Sequence, residues 1–166
     1  GPKLIDRISR VLAAAPDILY VRPINNDVGN DGTYNTTTRK AAYKLYFDTL
    51  LAALPNLIII CGGGSAAGAA NLTTTTASAW QVEADMASAI SEYNHPHVKF
   101  LATISDTTQR WLLGDGHVGT TVNSTHGNSD LMIGDGTDVL HPNVRYYEYM
   151  MQREANGIIG IMNSIQ

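Results

Sequence analysis

A carboxylate and an imidazole stand three residues apart in Asp138-Val139-Leu140-His141-Pro142-Asn143. On a tight turn, Asp138 can accept a hydrogen bond from one nitrogen of His141. That fixes the tautomer and leaves the other nitrogen free as a general base. Plainer roles stay open: Asp138 as the cap of a following helix, and His141 as a surface or capping residue. With five histidines in the chain the spacing alone is cheap. Its position carries more, because it closes a long polar stretch directly before a final apolar-striped segment. Ser65, in Gly62-Gly63-Gly64-Ser65-Ala66-Ala67-Gly68, follows an apolar run but lacks the Gly-x-Ser-x-Gly elbow of a nucleophile. The simplest reading of that segment is a flexible turn. No lysine follows where a phosphate cradle would need one. Asn26 and Asp27, in Ile24-Asn25-Asn26-Asp27, are good turn formers. Trp111 is a better candidate than Trp80 for lining a sugar site, since Trp80 falls in a helical pattern. His117 and His126, with Asp115 and Asp130, match no zinc-ligand spacing, and no metal or cofactor is implied.

The elements that would position these residues alternate in type. Lys3 to Ala15 reads as a helix, with Leu4, Ile5, Ile8, Val11 and Leu12 on one face. Ile18-Leu19-Tyr20-Val21 is a short apolar run bounded by prolines, the pattern of a strand covered on both faces. A helix over about Thr38 to Leu54 carries the stripe Tyr43, Tyr46, Phe47, Leu50, Leu51 and Leu54. Leu57 to Cys61 is a second strand, within which Cys61 reads as a buried residue rather than a reactive thiol. Ala77 to Asn94 is a helix with Val82, Met86, Ala89, Ile90 and Tyr93 on one face, and Val98 to Ile104 is a third strand. Ser105 to Thr137 is long, polar and Gly-rich, a length uncommon for a loop without function. The last helix begins near Pro142-Asn143 and carries Val144, Tyr147, Met150 and Met151. Asn156-Gly157 either ends it or interrupts it ahead of the apolar tail. This alternation predicts an α/β fold: three layers, a mostly parallel sheet and helices on both faces. Ligands in such sheets bind beyond the carboxyl ends of the strands. The loops over 24–32, 62–70 and 105–141 leave from those ends.

The composition bounds the partners. The 166 residues suit a single domain, and a hydrophobic share of 44% with only 16% charged residues excludes a disordered chain. A net charge of -4 argues against nucleic acid, and no apolar run is long enough for a membrane span. One cysteine excludes an internal disulfide framework. The surface is rich in threonine and asparagine, a composition that leans toward extracellular or virion-surface proteins. Its three sequons, at Asn35, Asn71 and Asn123, are expected by chance in so Thr-rich a chain. Gly1-Pro2 looks like the scar of a cleaved purification tag, so Lys3 is the expected start of a fragment.

Two segments together resemble the SGNH (GDSL-type) hydrolases. Asp138-x-x-His141-Pro142-Asn143 before a final helix is similar to the last conserved block of that family. Ile18-Leu19-Tyr20-Val21-Arg22-Pro23-Ile24-Asn25-Asn26-Asp27 is similar to its third block, a strand leading into Gly-x-Asn-Asp, with Ile24 in place of the glycine. The resemblance implies a flavodoxin-like sheet, with His141 the base, Asp138 its orienting acid and Asn26 a donor to the oxyanion. It also implies that the Gly-Asp-Ser block bearing the nucleophile, and the second-block glycine, lie upstream of Lys3. The chain then corresponds to the C-terminal two-thirds of such a domain. Its strand at 18–21 has a bare edge, to be covered by the missing N-terminal segment or by another chain.

The function expected is that of a serine esterase, removing acetyl or other acyl groups from a glycan or small ester. Asp27, Trp111 and Ser65 are candidates for lining the substrate. The alternative is a non-catalytic carbohydrate-binding or assembly module of a phage tail or cell-surface protein.

Overall fold

The computed structural model describes residues 4–22, 35–63, 78–103, 117–118, 121–122 and 144–165. A 3-10 turn, Ile5–Arg7, leads into α1 (Ile8–Ala14), followed by β1 (Ile18–Val21), α2 (Thr36–Ala53), β2 (Ile58–Gly62), α3 (Ser78–Tyr93) and β3 (Val98–Leu101). Two short strands, β4 (His117–Val118) and β5 (Thr121–Val122), pair antiparallel, and α4 (Val144–Ile165) is the last element. The main sheet has the order β1-β2-β3 and is parallel throughout. The chain is therefore an α/β protein. No helix among the described residues is long and apolar enough to cross a membrane.

Local chemistry sets the element ends. The Asn35 side chain accepts from the Thr38 N–H at 3.0 Å, and Thr38 Oγ1 accepts from the Asn35 N–H at 2.9 Å. This reciprocal cap starts α2 two residues before the apolar stripe suggests. The first helix and third, α1 and α3, are followed by residues in the left-handed region, Ala15 (φ 43°) and Asn94 (φ 49°), with a proline soon after each. The first helical segment is a 3-10 turn continued by α-helix rather than one uniform helix. Strand β3 stops at Leu101, three residues short of the apolar run, and the polar stretch after it contains the β4–β5 hairpin.

Alternation along the strands sorts the side chains into two faces. The register brings Leu19, Ile59 and Val98 into one row and Val21, Cys61 and Phe100 into the next. These rows pack on Tyr46, Phe47 and Leu50 of α2, on Met86 and Ala89 of α3, and on Ile8 and Val11 at α1. Cys61 is fully buried there as a free thiol, and burial raises its pKa above the ordinary thiol range. Lys40 and Lys44 clamp Glu92 between α2 and α3, and the hydrogen bond from Lys40 does most to hold that exposed carboxyl down at about 2.

The opposite face carries Tyr20, Ile60 and Leu101, and α4 covers it. The last helix is continuous through Asn156-Gly157. At Gly157 it lies so close to β3 that a Cβ would sit 2.6 Å from Leu101 Cδ1. Glycine there permits a close crossing and does not end the helix. Met150 is buried, whereas Met151, expected on the same stripe, is 67% exposed because it points about 100° away around the helix.

Two substitutions separate crossing from propensity. Gly157→Val is expected to lower the urea unfolding free energy by about 1–3 kcal/mol through overpacking against Leu101. Gly160→Ala, at a position with nothing within 4 Å of the new Cβ, is expected to raise it by about 0.5–1 kcal/mol through helix propensity.

Candidate functional site

All three strands of the main sheet end at the same edge. In a parallel sheet this follows from the ladder itself, and it makes the residues just past Val21, Gly62 and Leu101 neighbours. Helices α2 and α3 enter the fold from the same edge, so their first turns stand beside it. The buried charged or polar residues among those described are Arg39, Glu83, Asp85, Thr103 and Glu154. All five gather at this end. At the other end the core is closed by Leu57 and Val98, with no buried charge among the described residues.

Glu83, on the second turn of α3, is fully buried. Its two oxygens accept from the Thr103 N–H and from Thr103 Oγ1, each at 2.8 Å. The chain leaving β3 is thereby tied to α3. Gly63 lies against both groups, and any Cβ there would collide with the Glu83 carboxylate and the Thr103 hydroxyl. The Gly63 N–H donates to the Leu101 carbonyl at 2.9 Å, so this glycine also extends the β2–β3 ladder to its last rung. Arg39 and Asp85 form a buried ion pair between α2 and α3, and Gln81 Nε2 donates to the second Asp85 oxygen at 2.8 Å.

On the other face, Arg22, the residue after β1, reaches both β2 and α4. Its Nε donates to the Gly63 carbonyl at 3.4 Å, a long bond. Its Nη1 lies 3.0 Å from Glu154 Oε1 in an ionic contact that lacks hydrogen-bond alignment. Tyr20, whose ring lies across Gly62, brings its buried hydroxyl near the same carboxylate. It interacts electrostatically there without an aligned hydrogen-bond partner. Burial first, and then the Glu154 charge, raise the Tyr20 pKa. Burial also raises that of Glu154, opposed by Arg22 and by the Tyr20 hydroxyl.

The rim is thus a cluster of buried, mostly satisfied polar groups at three strand ends. The sequence-derived candidates Asn26, Asp27, Ser65, Trp111, Asp138 and His141 lie outside the described residues. In sequence, Asn26 follows Arg22 by four residues, Ser65 follows Gly63 by two, and His141 precedes the start of α4 by three. The rim residues themselves were not singled out by spacing. Their signal was a charge inside an apolar stripe: Arg39 one turn before Tyr43, Glu83 beside Val82 and Met86, and Glu154 one turn after Met150. Compared with protein-family models, curated proteins and solved structures, the chain matches none.

Two measurements test the rim. Arg39→Met leaves Asp85 buried without its cation and is expected to cost about 3–5 kcal/mol, with the double replacement Arg39→Met, Asp85→Leu costing distinctly less; urea unfolding of both variants decides. For Glu154, the folded chain holds the carboxyl proton more tightly than the unfolded chain. Stability should therefore fall as pH rises from the ordinary glutamate range, about 4.3, through its raised folded value. Glu154→Gln should flatten that decline. An undiminished decline in the variant would assign the titration to another group.

Proposed function

We propose that the chain is the larger part of an SGNH-type ester hydrolase, acting at the carboxyl edge of the parallel sheet. A serine supplied by polypeptide outside these residues attacks an ester carbonyl. His141 takes the hydroxyl proton and returns it to the leaving alcohol, then activates water to release the acyl group. Asp138 accepts a hydrogen bond from the imidazole and stabilises its charged form. The Asn26 side chain donates to the oxyanion, worth about 3 kcal/mol for one donor. No cofactor enters the scheme.

The observation that carries this reading is directional. Three parallel strands end at one edge, and Asn26, Ser65 and Asp138 follow β1, β2 and β3 in sequence. Helix α4, which begins three residues after His141, is tied back to that edge by the Glu154–Arg22 contact. The proposed substrate is an acetylated glycan or small ester at a cell or virion surface, in keeping with the uncharged, Thr- and Asn-rich composition and with Trp111, Asp27 and Ser65 as candidate lining.

The test is turnover of p-nitrophenyl acetate by the parent polypeptide. The form that includes an upstream strand and Gly-Asp-Ser is expected to hydrolyse it and to be labelled by a fluorophosphonate. His141→Ala in that form should lower kcat by about a thousandfold or more, and Asn26→Ala by about a hundredfold. Near-normal turnover in the His141 variant would remove it from the mechanism. A parent polypeptide with no such serine block would instead support the non-catalytic binding module.

A further inference from the structure

Helix α1 and strand β1 enclose a groove of about 660 Å³, a size at which small-molecule sites are common. Its floor reaches the core, for Leu4 and Tyr46 line it and each is more than nine-tenths buried. Val11 and Leu19 also line it and are only partly buried. Apolar surface is therefore left open along the inner side of α1.

Charge is confined to one wall. Arg7 and Arg10, three residues apart and hence neighbours on the helix surface, line the groove, and both are exposed. Neither forms an ion pair among the described residues. Arg22 lines the groove as well, but Glu154 and the Gly63 carbonyl already hold its guanidinium. No carboxylate lines the groove, and Asp6, the acid beside Arg7, lies outside it. In a chain whose net charge is -4, cations gathered without acids over an apolar cleft favour an anion.

The two features together define the ligand class. An inorganic anion would leave the apolar floor in water, and a neutral hydrocarbon would make no use of the arginines. A hydrocarbon chain with a carboxylate at one end uses both. The groove also has a direction. Arg7 and Arg10 stand on its charged part, whereas Ala14 and Pro16 line the end by the turn into β1.

We infer that this groove binds a free long-chain carboxylate. The carboxylate sits between Arg7 and Arg10 and accepts charge-assisted hydrogen bonds from their guanidinium groups. The acyl chain lies along Val11 and Leu19, over Tyr46, and points toward Ala14 and Pro16. These contacts come from side chains and use none of the backbone groups of β1. The site does not rest on the hydrolase reading, and no ester takes part.

The experiment is calorimetric titration of the 166-residue chain with monomeric decanoate, with methyl NMR to locate it. One molecule is expected to bind per chain and to shift the Val11 and Leu19 methyl signals, with those of Leu57 little changed. Arg7→Gln with Arg10→Gln should weaken binding at least tenfold, and so should replacing decanoate by uncharged decanol. Such a loss is of the size that a hydrogen bond to a charged group contributes. Ala14→Trp, at an exposed position on the tail end, should weaken decanoate at least fivefold and leave the shorter hexanoate unchanged. Equal affinity of decanol, or of the paired arginine variant, would overturn the proposal by reducing the site to apolar adsorption. Many molecules bound per chain would do the same. Binding to anionic vesicles without binding of monomeric decanoate would overturn it in favour of a membrane contact. Val11 and Leu19 signals that shift with protein concentration alone would overturn it in favour of a second copy in the groove. Equal losses of hexanoate and decanoate in the Ala14 variant would overturn the assigned direction.

Discussion

Parallel strands cannot be joined by a tight turn, and the architecture of this protein follows from that constraint. Each connection must return the chain along the whole length of the sheet, and a helix is the compact way to do so. Helices α2 and α3 do this on one face, where Leu19, Ile59, Val98 and their neighbours form the main core. The same constraint sends every strand end to one edge and brings every returning helix in from it. Among the described residues, the three main-sheet strands end at one edge, where α2 and α3 begin, and the other edge is closed by short turns such as Ala15 to Asp17 and Asn94 to His97.

Buried charge follows that asymmetry. Strand ends and helix starts expose backbone groups that have run out of ladder or helix partners, and Glu83 answers one such group by accepting from the Thr103 N–H. Arg39 with Asp85, and Arg22 with Glu154, join elements that diverge at the same edge. Leaving any of these groups without its partner in a dry environment is expensive, so each constrains its neighbours' positions more tightly than an apolar contact of the same size. The glycines belong to the same design. Gly62 admits the Tyr20 ring, Gly63 admits the Glu83–Thr103 pair, and Gly157 lets α4 cross β3 at close range.

Much of this was legible along the chain. The stripe Tyr43, Tyr46, Phe47, Leu50 and the stripe Val82, Met86, Ala89, Ile90 are the faces that pack, and the three apolar runs are the three strands. Periodicity reports such faces because burial repeats with the helix or the pleat. Three details were not legible. The start of α2 depends on a reciprocal Asn35–Thr38 cap, with threonine where glutamate or glutamine is usual. Gly157 reads as a helix end in one dimension and is a crossing point in three. The rim charges look like ordinary surface residues until their partners, twenty to more than a hundred residues away, are brought beside them.

The order of residues by itself determined the alternation of helix and strand, the parallel sense of the sheet and the apolar rows that fill it, because these depend on spacing within single segments. It also supplied Asp138, His141 and Asn26 as a coherent set of candidate chemical groups. Only the tertiary structure decided that, among the described residues, β1 is an edge of the main sheet with a groove beside it, that α4 lies on the second face, and that Arg22, Glu83, Thr103 and Glu154 share one rim. Those facts depend on which segments meet across long stretches of chain, and no local period records that.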